Sequence, residues 1–557
     1  MKSVKYIYIA LTALCGLCVS SCQDLTELNK NPNSPVDVSP NFIMTYVLTN
    51  TGKSVFNLGN DGSKIGAAMQ YMQVGTNENA AVINQYAWTQ ESWGTYYDLL
   101  RNNQLIYEAG VRDNNRFVQA VALTMKSYIF GLLTDLFGDV PYSEALHAKE
   151  GTFFPKYDPQ SEIYKGILTD LKEADALLSA LEAKDAISAT ADVIYRGDGA
   201  KWRKFANSLR LRYTMRLSEK KSEMSALGID IEAEFKAAAN NAFTSNADDA
   251  SIPFLGTAGD NSAPGGPMNS SNPNFKLKPG KPFVDKLIEL NDPRLHRFIQ
   301  PVQRKWDVNV TSETEVTVTN IFGESFTVTY VPADAASADT SLYVGLPIGL
   351  PITQAISYNK GNDNTAYHNE RNPYISFLHD RYRKNSDPYV VMNLMTYSEV
   401  EFILAEAALI GNFGVSSAEE HYKNAIRAAM NKVGVFESSQ FDFDEYYQQT
   451  SVSYTAATNA LERIMEQKWL SSWFSIQSWF DWRRTGYPQL KAGEVAQYGD
   501  ALPIRYAYPA PNLDPNYLSN YDTAVQRLEA TNHIPAGQSK DHHYAKMWLL
   551  QGTSKPW

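Results

Sequence analysis

The chain has 557 residues, of which 44% are hydrophobic and 20% charged, and a formal net charge of −11. That balance disfavours nucleic-acid binding, because contacts to phosphates need a basic surface. Its three cysteines, Cys15, Cys18 and Cys22, all lie at the N-terminus, which excludes disulfides, Cys-ligated zinc and a cysteine nucleophile from the body; a chain this long can rely on its apolar core instead.

Lys2 and Lys5 form a short basic start, and residues 6–19 an apolar stretch too short to stay in a membrane. Val19-Ser20-Ser21-Cys22 then places small residues before a cysteine, the pattern of a bacterial lipoprotein signal. Residues 1–21 are therefore expected to be removed and Cys22 to be lipidated; an ordinary secretory peptide cut nearby is the alternative. Residues 22–40 read as a polar tether, with Asn and Pro in QDLTELNKNPNSP, and residues 41–557 as one α-helical domain. No later segment has 18 consecutive apolar residues.

Residues 75–97 mix amides with Trp88, Trp93, Tyr96 and Tyr97. Sugars offer flat C–H faces to aromatic rings and hydroxyls to amides, so this stretch suits a glycan. Trp93, Tyr96 and Tyr97 read as the start of a helix, which leaves Asn77, Asn79 and Trp88 as the exposed candidates. Helical periodicity follows. Phe117, Val121, Thr124, Tyr128, Leu132 and Leu136 form one stripe ending at Gly138. Asp158-Pro159 reads as a cap and first turn before Ile163, Ile167, Leu171, Ala174 and Leu178. A third helix starts near Asp198, with Trp202, Phe205, Leu209, Tyr213 and Leu217 on one face. Its cations, Lys201, Arg203, Lys204, Arg210, Arg212 and Arg216, read as a solvated face paired to acids elsewhere, in preference to an anion site.

The middle of the chain changes character. Residues 251–280 and 345–384 are rich in Gly, Pro, Ser and Asn and read as long loops, while residues 315–331 alternate as a β-hairpin around residues 320–324. Loops on a rigid scaffold are where binding residues concentrate, so the ligand region is expected at about 251–385, with Trp306, Tyr343, Tyr358, Tyr367 and Tyr374 as stacking candidates. Trp306 serves hairpin packing equally well. Two capping boxes, Thr396/Glu399 and Ser416/Glu419, then open a pair of helices that stop at Gly411 and Gly434. An alanine-rich helical pair of this kind is the unit of a degenerate tetratricopeptide-like repeat, and about four such pairs are expected in an all-α fold with one small hairpin. Trp469, Trp473, Trp479 and Trp482 read as core, and His542-His543 as a solvated tail.

Catalytic patterns are near misses. Gly52-Lys53-Ser54 lacks the earlier glycine of a phosphate loop, and neither GxSxG nor HExxH occurs. Asn362-Asp363-Asn364 could contact calcium only as a common loop composition does. No enzyme activity, metal or cofactor is expected.

Longer phrases carry a resemblance: NKNPNSP after the cysteine, YYDLLRNNQLIYEAG, LFGDVPYSEAL, YDPQSEIYKGILTDL, GLPIGLP, MTYSEVEFILAEAALIG and WFDWRRTGYPQL, in order along nearly the whole chain. Together these resemble the SusD/RagB family of outer-membrane nutrient-binding lipoproteins, in its second SusD-like subgroup. The resemblance implies four degenerate tetratricopeptide-like helix pairs and a surface-exposed protein, lipid-anchored to the outer membrane. It also implies capture of an oligosaccharide for a SusC-like, TonB-dependent β-barrel transporter. A peptide ligand is the alternative within the family, slightly disfavoured by the few clustered charges in the loops. A surface glycoside hydrolase is the alternative outside it. The family's ligand residues lie on variable loops and do not transfer, and its FGDVP (137–141) and WRRTG (482–486) motifs are expected to pack and cap helices.

Overall fold

The computed structural model describes residues 39–74, 85–264, 277–333, 339–365, 372–511, 514–553 and 555. The signal, Cys22 and most of the tether lie outside them, as do Asn77, Asn79 and Tyr367. Helix α1 (Pro40–Gly59) starts behind Ser39, whose hydroxyl accepts from the Asn41 N–H, with proline in the first turn. Strand β1 (Met72–Val74) follows. Helices α2 (Gly94–Arg112) and α3 (Arg116–Phe137) are joined by three residues and pack together as a hairpin. Asn115 caps α3 by accepting from the Val118 N–H at 3.0 Å, and Gly138 ends it at φ 93°, a value that favours glycine.

The apolar stripe on α3 understates its burial. Ala120, Ala122, Leu123, Met125, Ile129 and Leu133, off the stripe, are buried as well, because neighbouring helices surround it. Among the described residues, α3 is the one helix long and apolar enough to cross a membrane, yet 89% of that window is buried in protein. It is the central core helix.

Beyond α3, strands β2 (Val140–Pro141) and β3 (Tyr157–Asp158) pair antiparallel. Asp158 therefore does not cap the next helix. Its carboxylate accepts from the Tyr142 and Ser143 N–H groups at 3.1 and 2.7 Å, closing the turn after β2, and α4 (Gln160–Ser179) begins behind Pro159. Helix α5 (Gly199–Arg216) starts at Asp198 as its sequence predicts, that carboxylate accepting from Ala200 and Lys201 N–H. Five of the six cations of α5 are paired to acids, Lys201 donating instead to the Ala247 carbonyl, and half of the six are not solvated. Arg210, Arg212 and Arg216 are buried and pair with Glu234 on α6 (Ile231–Ala239), Glu399 and Asp135 respectively. Burial opposes the Arg212 charge, but the two-pronged pair with Glu399, at 2.6 and 2.7 Å, holds its pKa above the ordinary value.

The loop-rich middle of the chain is an excursion. It leaves from β4 (Ala250–Pro253), runs through β5 (Leu277–Pro279), α7 (Lys281–Glu289) and a three-stranded sheet, and returns at β9 (Val391–Met395), which pairs antiparallel with β4. The sheet extends the expected hairpin. Strands β7 (Thr314–Thr319) and β8 (Ser325–Pro332) pair antiparallel, and β6 (Arg304–Asp307), carrying Trp306, joins β8 in parallel. Strand β5 pairs with β1, far away in sequence.

Helices α8 (Tyr397–Ile410) and α9 (Ala418–Lys432) form the later hairpin, followed by α10 (Ala460–Ser471) and α11 (Gln477–Thr485). Only half of the first capping box forms. Thr396 accepts from the Glu399 N–H at 3.2 Å, but the Glu399 carboxylate is taken by Arg212. At α9 the cap is Ser417, at φ 63° and without a side-chain cap bond, so the Ser416/Glu419 box does not form. The pairs α2–α3, α4–α5, α8–α9 and α10–α11 make a mostly helical, tetratricopeptide-like body. One apolar cluster runs through it from Met44 to Leu550, and two small ones, Trp306/Val331/Tyr374 and Leu346/Ala355/Ile375, underlie the excursion.

Candidate functional site

The two small clusters support a polar shelf built from the excursion. At its base the Trp306 and Tyr374 rings stack 4.7 Å apart at 11°, an arrangement that contributes about 1 kcal/mol beyond its area. Their polar ends are engaged. The Trp306 Nε1–H donates to the Asn359 carbonyl at 2.7 Å, and the Tyr374 hydroxyl donates to Asp363 at 2.8 Å while accepting from Arg304 Nε at 3.1 Å. Asn359 is itself buried and bridges the layer, donating to the Asp339 and Tyr374 carbonyls and accepting from the Asp339 N–H.

Strands β1 and β5 pin the opposite edge. The buried Gln73 amide donates to the Leu346 and Pro347 carbonyls, both at 2.8 Å, fixing the GLPIGLP segment. Lys278 is fully buried; its ammonium donates to the Asn372 carbonyl at 3.2 Å and lies 3.1 Å over Phe377. Burial, and then the Arg383 charge, push its pKa well down. At Gly280 an added Cβ would sit 2.2 Å from the Gln70 carbonyl oxygen, so the close approach of the two strands requires glycine there.

Above this base lie Lys281, Asp285, Asp339 and Tyr358. Lys281 pairs with Asp285 at 3.0 Å and Asp339 at 3.5 Å. Burial raises the Tyr358 pKa, and the Lys281 charge opposes that rise. Arg304, Glu313 and Asp363 border the other side. This surface presents hydroxyl, carboxylate and ammonium groups at fixed positions, which suits a hydroxyl-rich ligand. Among the described residues, no group of three or more His, Cys, Asp or Glu is placed to hold a metal ion.

The structure separates the aromatic candidates. Trp306, Tyr358 and Tyr374 lie in this one region, while Tyr343 packs in the main core with its hydroxyl 2.8 Å from His296 Nδ1. Of these, Tyr358 alone is not buried. Trp306 and Tyr374 have no bare ring face and act as foundation. Trp88 is not the exposed residue its neighbours suggest. It packs in the main core against Trp479, Tyr506 and His543 because the C-terminal segment folds back over it. Asp363, singled out in a calcium-like triplet, instead accepts the Tyr374 hydroxyl. Sequence reasoning missed Gln73, Lys278, Lys281, Asp339 and Asn359, because they are scattered over almost 300 residues and carry no local pattern.

A body of helical hairpins supporting a polar loop shelf defines a scaffold of the tetratricopeptide-like class. The chain belongs to the SusD-like family described as starch-binding and associating with the outer membrane, whose model matches residues 32–509. It is similar to the crystal structure of a SusD homologue from Bacteroides fragilis, at 26% identity and a TM-score of 0.66 over 92% of this chain and 99% of that one. It is similar to a chitin-binding protein at 26% identity and a TM-score of 0.69, over the same shares. A SusD/RagB family protein from Bacteroides thetaiotaomicron shares the fold at 23% identity and a TM-score of 0.65, over 93% of this chain and all of that one. No curated protein matches the sequence.

Proposed function

We propose that this protein binds an oligosaccharide on the shelf around Tyr358 and delivers it, without covalent chemistry, to a SusC-like TonB-dependent transporter. In this reading the mature chain hangs from lipidated Cys22 on the outer face of the outer membrane, with residues 22–40 as its tether and residues 41–557 as one binding domain. Family membership across residues 32–509 carries the reading, and similarity to a chitin-binding protein over most of both chains supports a sugar as ligand. The shelf adds a chemical reason, since its charges are already paired with one another and, with the Tyr358 hydroxyl, match a neutral, hydroxyl-rich molecule.

Isothermal calorimetry of the mature chain against chito-, malto- and xylo-oligosaccharides, with a peptide library alongside, tests the ligand class. Binding to a glycan that weakens at least tenfold in Tyr358→Ala is expected. Binding to peptides alone would overturn it, and steady product release from any glycan would favour a hydrolase.

A further inference from the structure

The α8–α9 hairpin carries an open cavity, of about 310 Å³, that shares no residue with the shelf. Its working walls are Asn246, Tyr397, Asn424, Arg427, Asn431 and Phe436. Asn424, Arg427 and Asn431 stand three and four residues apart on α9 and so share one face of it. The Asn246 amide donates to the Ala428 carbonyl at 3.1 Å and accepts from the Asn431 amide at the same distance. Both amides are thereby oriented, while the Asn431 oxygen keeps its accepting capacity. The Asn424 amide has no partner among the described residues.

Phe436 is 39% exposed, a large value for a phenylalanine, yet its ring is held in place by Phe441 and Phe443, 5.8 and 6.2 Å away. Arg427 lies 3.9 Å over Phe443 and 5.9 Å from Phe436. Its contact with Asp444 is long, 3.7 Å, and exposed on both sides, so it holds the guanidinium weakly. A fixed, bare ring beside oriented amides and a guanidinium matches a pyranose, whose C–H face covers the ring while its hydroxyls reach the polar groups. An apolar ligand would strand the amides without partners. An anion would find a single cation that Asp444 already partly neutralises.

We propose that this cavity is a second sugar site taking one neutral pyranose unit. It rests on the glycan-binding reading for the choice of ligand class and involves different residues. Ligand-observed NMR of the full mature chain with glucose, N-acetylglucosamine and xylose tests it, using Phe436→Ala, Asn424→Ala and the shelf variant Tyr358→Ala. At least one of the three sugars should bind the wild type. Phe436→Ala and Asn424→Ala should each weaken that binding about fivefold, as for one lost ring contact or hydrogen bond, and should do so to the same extent in the Tyr358→Ala background. No sugar bound, or binding insensitive to both cavity variants, would overturn the proposal. So would variants that keep sugar binding but lose co-purification with an outer-membrane protein, which would mark this face as a docking surface. Monosaccharide binding here, with no oligosaccharide bound at the shelf in calorimetry, would sink the shelf reading alone; the reverse result would sink this one alone.

Discussion

His543 sets a pH limit on stability. The residue is buried between Trp88 and the 505–507 segment, where its Nδ1 lies 3.2 Å from the Ala507 nitrogen and 3.3 Å from the Arg505 carbonyl oxygen, so that the neutral ring can accept from the Ala507 N–H and a protonated one cannot. Burial, and then the Arg505 guanidinium, push its pKa from 6.5 down to about 4. Arg505 itself is buried and paired with Asp541 at 2.8 Å, and His542 adjoins. A histidine whose folded pKa is depressed contributes stability that is complete above pH 6.5 and declines as the pH falls toward 4, because the unfolded chain then binds the proton more readily. From those two values the loss is about 1.4 kcal/mol at pH 5.5 and about 2.6 kcal/mol at pH 4.5. In His543→Asn the amide oxygen can stand in for Nδ1 as acceptor, and the titration is gone. Urea unfolding from pH 7.5 to 4.5 should show the wild-type midpoint falling more steeply than the variant's, by an amount equivalent to these figures. Parallel curves would refute the argument, whatever the variant's stability at neutral pH.

Other substitutions probe separate parts of the molecule. Asp135→Asn should lower unfolding free energy by about 3–5 kcal/mol in denaturant titrations, because it strips the carboxylate from buried Arg216 and from the Tyr164 hydroxyl. Gly280→Ala should cost about 1–3 kcal/mol and loosen the β1–β5 pairing, seen as faster hydrogen exchange at Gln73 and Lys278. Glu324, in the β7–β8 turn, faces His379, Arg297 and Arg381; although burial works against its charge, hydrogen bonds from His379 and Asn320 lead the effects that hold its pKa at about 2. Stability from this carboxylate is present above pH 4.5 and lost as the pH falls toward 2. Because the group is substantially exposed, screening leaves about 1 kcal/mol for Glu324→Gln, read as faster exchange confined to β7 and β8. Cys22→Ala should abolish labelling by a palmitate analogue and release a folded body from the membrane fraction.

The sequence by itself determined the elements whose causes are local. The cap at Asp198, the stop at Gly138 and the hairpin around residues 320–324 each depend on residues a few positions apart, and each forms where its pattern places it. The family was legible too, because its phrases run in order along the chain. Tertiary structure decided the rest. Whether Arg212 faces solvent depends on Glu399, 187 residues away, and whether Trp88 is a platform or core depends on a C-terminal segment more than 400 residues later. The same folding-back turns His542-His543 from an expected solvated tail into a buried pair. The shelf follows this pattern. Its aromatic residues stood out by type, but the polar groups that shape it meet only when β1 pairs with β5 and the excursion closes on β4 and β9. Periodicity and capping report interactions within a turn or two of the chain, whereas burial and charge pairing are settled by partners that no local pattern identifies.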